Sequence, residues 1–149
     1  MDTKQKGDIG EQAATLHALK KGWEVLHPIG DRLPYDLVFV IKNQFVKIQV
    51  KTAWYDTRRE NYVVDNRRTK TNRRIMQRAP YKEADFDFAL CYLAEQDLFY
   101  VFPVETFVKY GSEIHMVEAE KRQRKPHSVL YKDAWELILD WAARKEIRA

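Results

Sequence analysis

Four residues in the first third of the chain have side chains that suit the hydrolysis of a phosphodiester. Asp36 and Glu11 offer anionic oxygens and Gln49 offers a neutral one, and such oxygen ligands suit a hard cation such as Mg²⁺. Lys51 would supply a positive charge that orients the attacking water or offsets charge developing on the phosphate. This chemistry requires the four side chains to meet, so the elements that carry them must be found.

Two predicted strands bring three of these residues close together. Residues 37 to 41 form a continuous apolar run that fits a buried strand, and the next three residues, Lys-Asn-Gln, turn the chain. Phe45 to Ala53 then alternates as a second strand, in which Gln49 and Lys51 share one face. Counting back from the turn places Asp36 opposite the stretch that holds Gln49 and Lys51, with the register fixed to within one residue.

Helices and further strands complete the predicted fold. A helix is predicted over residues 3 to 21, with Gly22 as its stop. Its apolar face carries Ile9, Ala13, Leu16 and Leu19 at helical spacing. Its polar face carries Asp8, Glu11 and Lys20. A second helix over residues 132 to 145 has one apolar face, made by Trp135, Ile138, Leu139 and Ala142. The remaining predicted strands are Trp23 to His27, Phe86 to Leu93 and Leu98 to Phe102, which Pro103 closes. We expect an α/β fold, a mixed sheet of four or five strands flanked by helices.

Composition limits the class of protein. The chain has 149 residues, 45% of them hydrophobic and 32% charged, which predicts one globular domain over residues 1 to 149. The first twelve residues are polar, and no apolar run approaches the ~20 residues of a membrane helix, so we expect a cytoplasmic protein without membrane contact. The single cysteine, Cys91, excludes an intramolecular disulfide and a cysteine-rich zinc site.

Charge is segregated along the chain. Residues 54 to 79 hold eight basic residues against three acidic ones, whereas residues 80 to 120 hold nine acidic residues against two lysines. We interpret residues 54 to 79 as a basic insertion that contacts DNA. Its predicted contact residues are Arg58, Arg59, Arg67, Arg68, Lys70, Arg73, Arg74 and Arg78. A second basic cluster at residues 121 to 125 fits DNA contact and an ordinary solvated surface about equally.

Three short segments resemble the PD-(D/E)-XK nuclease superfamily. The stretch Pro34-Tyr35-Asp36, followed by Gln49-Val50-Lys51, resembles its catalytic motif, and the segment from Lys6 to Glu11 is similar to a helix that often carries a further acid. Residues 100 to 105 also resemble the downstream strand of small prokaryotic members. Within the superfamily, the likeness is strongest to small intron-encoded homing endonucleases of cyanobacterial type. The resemblance implies a restriction-endonuclease-like core.

The resemblance also implies roles for individual residues. Asp36 and Glu11 would be metal ligands, Gln49 would occupy the position of the second acidic ligand, and Lys51 would be the catalytic lysine. Mg²⁺ is the implied cofactor, and Mn²⁺ is expected to substitute for it. The chain departs from the family motif at two positions. Tyr35 separates the proline from the aspartate, and Gln49 replaces a carboxylate, which weakens cation binding unless another acid compensates.

These observations favour a sequence-specific endonuclease that cuts double-stranded DNA. One chain carries one site and a duplex has two strands, so we expect at least a symmetric dimer, and the homing-endonuclease likeness favours a tetramer. Two alternatives stay open. A structure-selective junction resolvase would share the same core, and a catalytically inactive nucleic-acid-binding module would explain Gln49 as the mark of a lost metal site.

Overall fold

The structure is a computed structural model that describes residues 1–71, 76–118 and 127–148. Its helices are α1 (Thr3–Lys20), α2 (Val104–Phe107) and α3 (Glu136–Arg148). Its strands are β1 (Glu24–Leu26), β2 (Leu37–Ile41), β3 (Gln44–Thr52), β4 (Trp54–Asp56), β5 (Asn61–Asp65), β6 (Arg67–Thr71), β7 (Met76–Pro80), β8 (Phe88–Leu93), β9 (Leu98–Pro103) and β10 (Glu113–Met116). None of the helices in the described ranges is long and apolar enough to cross a membrane.

A five-stranded mixed sheet forms the centre of the fold, in the order β1-β2-β3-β8-β9. Strands β3 and β8 run parallel, and the other neighbours run antiparallel. The predicted α/β fold with a mixed sheet of four or five strands is therefore confirmed. Strands β8 and β9 are buried along nearly their whole length because both faces of this part of the sheet are covered.

The hairpin of β2 and β3 has the register that brings Asp36 beside Gln49. Lys42 and Asn43 form its two-residue turn, with φ of 52° and 63°. Two successive residues in the left-handed region give a turn whose twist matches that of the flanking strands. The register then pairs Leu37 with Ile48, so Asp36 lies one residue beyond the last pair, next to Gln49.

Alternation along β3 sends its side chains into two different cores. Val46, Ile48 and Val50 pack in the first core cluster, between the sheet and the helices α1 and α3. The opposite face of the sheet packs in a second core cluster against β5, β10 and α2. Gln49 lies on this second face and is 8% exposed. The fold therefore places a polar strand residue of the motif beneath a second layer of structure.

The predicted apolar face of α1 is wrong. Its buried residues are Gly10, Ala14 and Ala18, whereas Ile9, Leu16 and Leu19 are 40 to 51% exposed. The helix approaches β3 so closely that only small residues fit between them, and a Cβ on Gly10 would collide with Thr52 Oγ1. That close approach brings the next residue, Glu11, against the sheet.

Two further expectations change in detail. Helix α3 begins at Glu136, and Trp135, Ile138 and Ala142 are buried as predicted, but Leu139 is 39% exposed. The helix presents a narrow stripe to the sheet, and Leu139 lies beside it. Strand β1 is shorter than predicted, spanning Glu24–Leu26.

The basic segment contains more regular structure than the sequence predicted. Strands β4 and β5 join β10 in a three-stranded antiparallel sheet, and Val63 and Val64 of β5 are buried. Strands β6 and β7 form a separate antiparallel pair, with Arg67 opposite Pro80. The first half of the segment thus contributes to the second core cluster, and the second half is a hairpin.

The contact between α1 and β3 predicts opposite effects for two glycines on the same helix. Gly10→Ala should lower the free energy of unfolding by about 1–3 kcal/mol, because the new methyl group displaces Thr52 Oγ1 from its hydrogen bond with the Lys6 carbonyl. Gly7→Ala meets nothing within 4 Å and should raise it by about 0.5–1 kcal/mol through helix propensity. Denaturant unfolding measures both. Equal effects in the two variants would contradict the close packing.

Candidate active site

The Asp36 carboxylate is fixed by the strand beside it. Its Oδ2 accepts a hydrogen bond from the Val50 backbone N–H at 2.8 Å and another from Gln49 Nε2 at 2.9 Å. The Asp36 backbone N–H in turn donates to the Ile48 carbonyl at 2.8 Å. Asp36 is half-buried, so these contacts hold one oxygen in place and leave the other for a further partner.

Gln49 is a buried neighbour of Asp36. Its Nε2 also lies 3.3 Å from the Val50 carbonyl, so the amide group bridges a carboxylate and a backbone oxygen. Burying a neutral amide costs less free energy than burying a third carboxylate at this position. A half-turn of the amide would present its Oε1 in the same direction, because the two ends of a glutamine side chain have nearly the same shape.

Glu11 and Asp36 form a carboxyl pair that retains a proton near neutral pH. The pKa of Glu11 is raised to about 7, first by burial, then by the charge of Asp36 and the hydrogen bond between the two carboxyl groups, and finally by the charge of Asp8. Burial also raises the pKa of Asp36, against the stabilising Val50 N–H, Lys51 charge and Glu11 hydrogen bond. Both pKa values are raised for the same main reason, because burial of two neighbouring carboxyl groups disfavours two negative charges.

Lys51 lies on the same side of β3 as Gln49, at the edge of a cleft. Its Nζ donates to the Arg67 carbonyl at 3.0 Å and lies 5.0 Å from the ring centroid of Tyr81. The cleft has a volume of about 760 Å³ and also contacts Thr3, Gly7, Val50, Thr52, Trp54, Asp65, Arg67, Ser112 and Glu113. Lys51 therefore lines a cleft that is open to solvent, and its charge acts on Asp36 to lower the pKa of that carboxyl group.

The donor set fits a hard cation. Glu11 and Asp36 supply carboxylate oxygens, and Gln49 and the Val50 carbonyl lie beside them. Within the described ranges, no three His, Cys, Asp or Glu side chains are grouped as a metal site, so any remaining ligands would be amide or backbone oxygens, water or substrate phosphate. Such a set is typical of Mg²⁺, which keeps several waters and takes one or two carboxylates.

The predicted DNA-contact residues lie in several places. Arg58 and Arg59 are exposed in the turn after β4, and Arg59 Nη1 lies 3.3 Å from His115 Nε2. Arg67 lines the cleft beside Lys51, and Arg68 Nη2 donates to the Arg32 carbonyl at 2.9 Å. Lys70 and Arg78 belong to β6 and β7 by their backbones, whereas Arg73, Arg74 and the 121 to 125 cluster lie outside the described residues.

Sequence reasoning did not find Tyr81 or the Arg67 carbonyl as neighbours of Lys51. Neither group lies in a recognisable sequence motif. Tyr81 is thirty residues downstream of Lys51, and a backbone carbonyl leaves no trace in residue type. Only the pairing of β6 with β7 brings the two groups to the same place.

The carboxyl pair predicts a pH dependence of stability. The folded pKa of Glu11, about 7, exceeds its ordinary value of 4.5, so the folded protein binds an extra proton between these values and loses stability as pH rises through them. In a chelator, Glu11→Gln should remove this part of the slope, on the order of 1 kcal/mol after solvent screening. Denaturant unfolding at pH 5 and pH 8 measures it. Glu24→Gln, on exposed β1, is the control, and equal slopes in wild type and Glu11→Gln would refute the pair.

Comparisons with known proteins agree with the geometry. A family model described as PD-(D/E)XK endonuclease matches residues 1–138. Among solved structures, the bacterial homing endonuclease I-Ssp6803I is similar at 57% sequence identity and a TM-score of 0.92, over 98% of this chain and 99% of its own. No match is found among curated proteins. The predicted superfamily is confirmed, and this chain belongs to the PD-(D/E)XK endonuclease family.

Proposed function

We propose that this chain is a sequence-specific DNA endonuclease of the homing type that cuts both strands of a duplex with Mg²⁺, for which Mn²⁺ can substitute. One observation carries the proposal. The Glu11 and Asp36 carboxyl groups hydrogen-bond to each other, Asp36 also accepts from the Gln49 amide, and the Lys51 charge acts on Asp36. Family membership and the likeness to a bacterial homing endonuclease support the same activity.

Three side chains would hold the cation. Asp36 and Glu11 would bind it as carboxylates, with Glu11 giving up its proton, and Gln49 would turn its amide to offer Oε1. A cation of this kind neutralises charge on the phosphate and makes water a better nucleophile. The Val50 N–H keeps Asp36 oriented while its other oxygen changes partner. Gln49 thus takes the place of the family's second acid without adding a third negative charge.

Lys51 acts on the phosphate. During hydrolysis, a water oxygen bonds to phosphorus while the bond to one ester oxygen breaks, and negative charge grows on the phosphoryl oxygens and the leaving oxygen. An ammonium group beside the carboxyl pair stabilises that charge more than the charge of the bound substrate. Lys51 therefore accelerates the reaction and contributes little to DNA docking.

The basic segment of residues 54 to 79 would contact DNA. Arg67 supports this role most directly, because its exposed side chain borders the cleft that also holds Lys51. Arg58 and Arg59 extend positive charge along the neighbouring three-stranded sheet. The planar guanidinium groups suit phosphates and the guanine edge in the major groove.

An oligomer would provide the second active site for the second strand. We propose at least a dimer, and the homing-endonuclease likeness favours a tetramer. Apolar side chains that the chain leaves in solvent support association. Leu16 and Leu19 of α1 are about half exposed, Phe45 is 65% exposed on β3, and Ile29 is almost fully exposed in the loop after β1.

The activity is tested by incubating the protein with a diverse DNA library and Mg²⁺ and sequencing the ends. Paired double-strand ends at a discrete sequence are expected, and Lys51→Met should abolish them while DNA affinity stays within a few-fold. Asp36→Asn should also fail to cut, because it removes an anionic ligand at constant volume. Cleavage confined to branched DNA would indicate a junction resolvase. DNA binding without any cleaved ends would indicate a catalytically inactive binding module. Either outcome would overturn the proposal, as would wild-type cleavage by Lys51→Met.

The DNA surface is tested by the salt dependence of binding. Each neutralised phosphate contributes about 0.9 to the slope of log affinity against log salt concentration. Arg67→Ala should lower the slope by about this amount, and Arg144→Ala, exposed on α3 outside the basic segment, should leave it unchanged. Fluorescence anisotropy with a fixed duplex from 50 to 200 mM salt gives both slopes. Equal slopes in the two variants would remove Arg67 from the DNA surface.

A further inference from the structure

Among the groups around the Lys51 ammonium group are a carbonyl and an aromatic ring from the base of the β6–β7 hairpin. The Arg67 carbonyl, 3.0 Å away, belongs to the first residue of β6. The Tyr81 ring, whose centroid is 5.0 Å away, directly follows Pro80, the last residue of β7. Arg67 and Pro80 are paired in the hairpin, so the carbonyl and the ring are held at a fixed separation from each other.

The Tyr81 ring is itself held rigidly. Tyr81 is 7% exposed and packs edge-on against Phe86, with ring centroids 5.2 Å apart. It also packs at a tilt against Phe107, with centroids 6.0 Å apart. These contacts belong to the second core cluster, on the same side of the sheet as Gln49. Burial raises the pKa of Tyr81, with a further contribution from the charge of Asp36, so the phenol stays neutral beside the site. A fixed neutral ring therefore faces a long, flexible lysine.

The face of an aromatic ring attracts a cation through its quadrupole. A lysine side chain has four rotatable bonds, and each conformation that carries Nζ away from the phosphate reduces the rate of cleavage. The ring and the carbonyl together limit those conformations. The carbonyl oxygen accepts a hydrogen bond from the ammonium group, and the ring face attracts its charge, so both contacts favour the same position of Nζ.

We propose that Tyr81 is a positioning residue for cleavage, whose ring, together with the Arg67 carbonyl, holds the Lys51 ammonium group where the phosphate is attacked. The proposal rests on the proposed function, because it assigns Tyr81 a part only through the action of Lys51. It also links recognition to chemistry. Arg67 and Arg68, at the start of the hairpin, are proposed DNA contacts, and the same hairpin would hold the Lys51 ammonium group in place.

The first test compares two substitutions at position 81 under single-turnover conditions, at saturating DNA and Mg²⁺. Tyr81→Leu should lower the cleavage rate about tenfold with DNA affinity unchanged, because it fills the core without a ring face. Tyr81→Phe should retain the wild-type rate, because it keeps the ring. Tyr92→Leu is the control for lost core packing, since Tyr92 is 6% exposed and belongs to the first core cluster. It should cleave at the wild-type rate below its melting temperature.

A second test does not depend on the folding of Tyr81→Leu. Phenylalanines with increasing numbers of ring fluorines, incorporated at position 81, keep the shape of the ring and progressively weaken its attraction for a cation. The cleavage rate should fall with each added fluorine while DNA affinity stays constant. A purely structural role for Tyr81 predicts a flat series.

The outcomes of these tests distinguish the role of Tyr81 from the proposed endonuclease function. Loss of cleavage in Lys51→Met together with a flat fluorine series, or with wild-type cleavage by Tyr81→Leu, overturns the role of Tyr81 alone. Cleavage by Lys51→Met overturns the proposed function on which that role rests. A graded series alongside inactive Lys51→Met supports both.

Discussion

Two carboxyl groups lie together in a partly buried place, and much of the surrounding structure serves to keep them there. Glu11 and Asp36 repel each other when both are ionised, and burial strengthens that repulsion, so the pair keeps a proton near neutral pH. Such an arrangement reduces the stability of the fold on its own. A divalent cation would relieve it by replacing the proton and neutralising both charges. The instability of the pair and its proposed affinity for a cation thus have the same origin.

The fold maintains this pair through backbone contacts that depend on few side chains. The two-residue turn of the β2–β3 hairpin fixes the register, and the register lets the Val50 N–H donate to Asp36. Gly10 then lets α1 approach β3, which brings Glu11 to the same place from another element. Gln49 completes the group, and we propose it as a neutral ligand. A carboxylate there would add a third like charge to a site that already holds a shared proton.

The hairpin could be predicted from the sequence because its information is local. An apolar run, a turn and an alternating strand fix Asp36, Gln49 and Lys51 to within one residue. The buried face of α1 could not be predicted in this way. Ile9, Leu16 and Leu19 follow the helical period, but close packing against the sheet buries Gly10 and two alanines instead. A pattern based on hydrophobicity ranks large residues above small ones, and here the distance between helix and strand reverses that order.

The groups around Lys51 also could not be predicted from the sequence, for a different reason. The contacts with the Arg67 carbonyl and the Tyr81 ring join parts of the chain that are far apart, and they depend on a β6–β7 pairing with weak apolar alternation. The same holds for the three-stranded sheet, because β10 is separated from β5 by nearly fifty residues. Charge composition identified the segment as basic without revealing that half of it contributes to the core.

We propose that Glu11, Asp36 and Gln49 form one divalent cation site. The most direct measurement is anomalous X-ray diffraction from crystals of Lys51→Met bound to its duplex and soaked in Mn²⁺, since this variant should leave the DNA uncut. We expect an anomalous peak between the Glu11 and Asp36 carboxylates, with the Gln49 amide turned so that its oxygen faces the ion. Manganese bound elsewhere on the protein or DNA, with no peak beside Asp36, would contradict it.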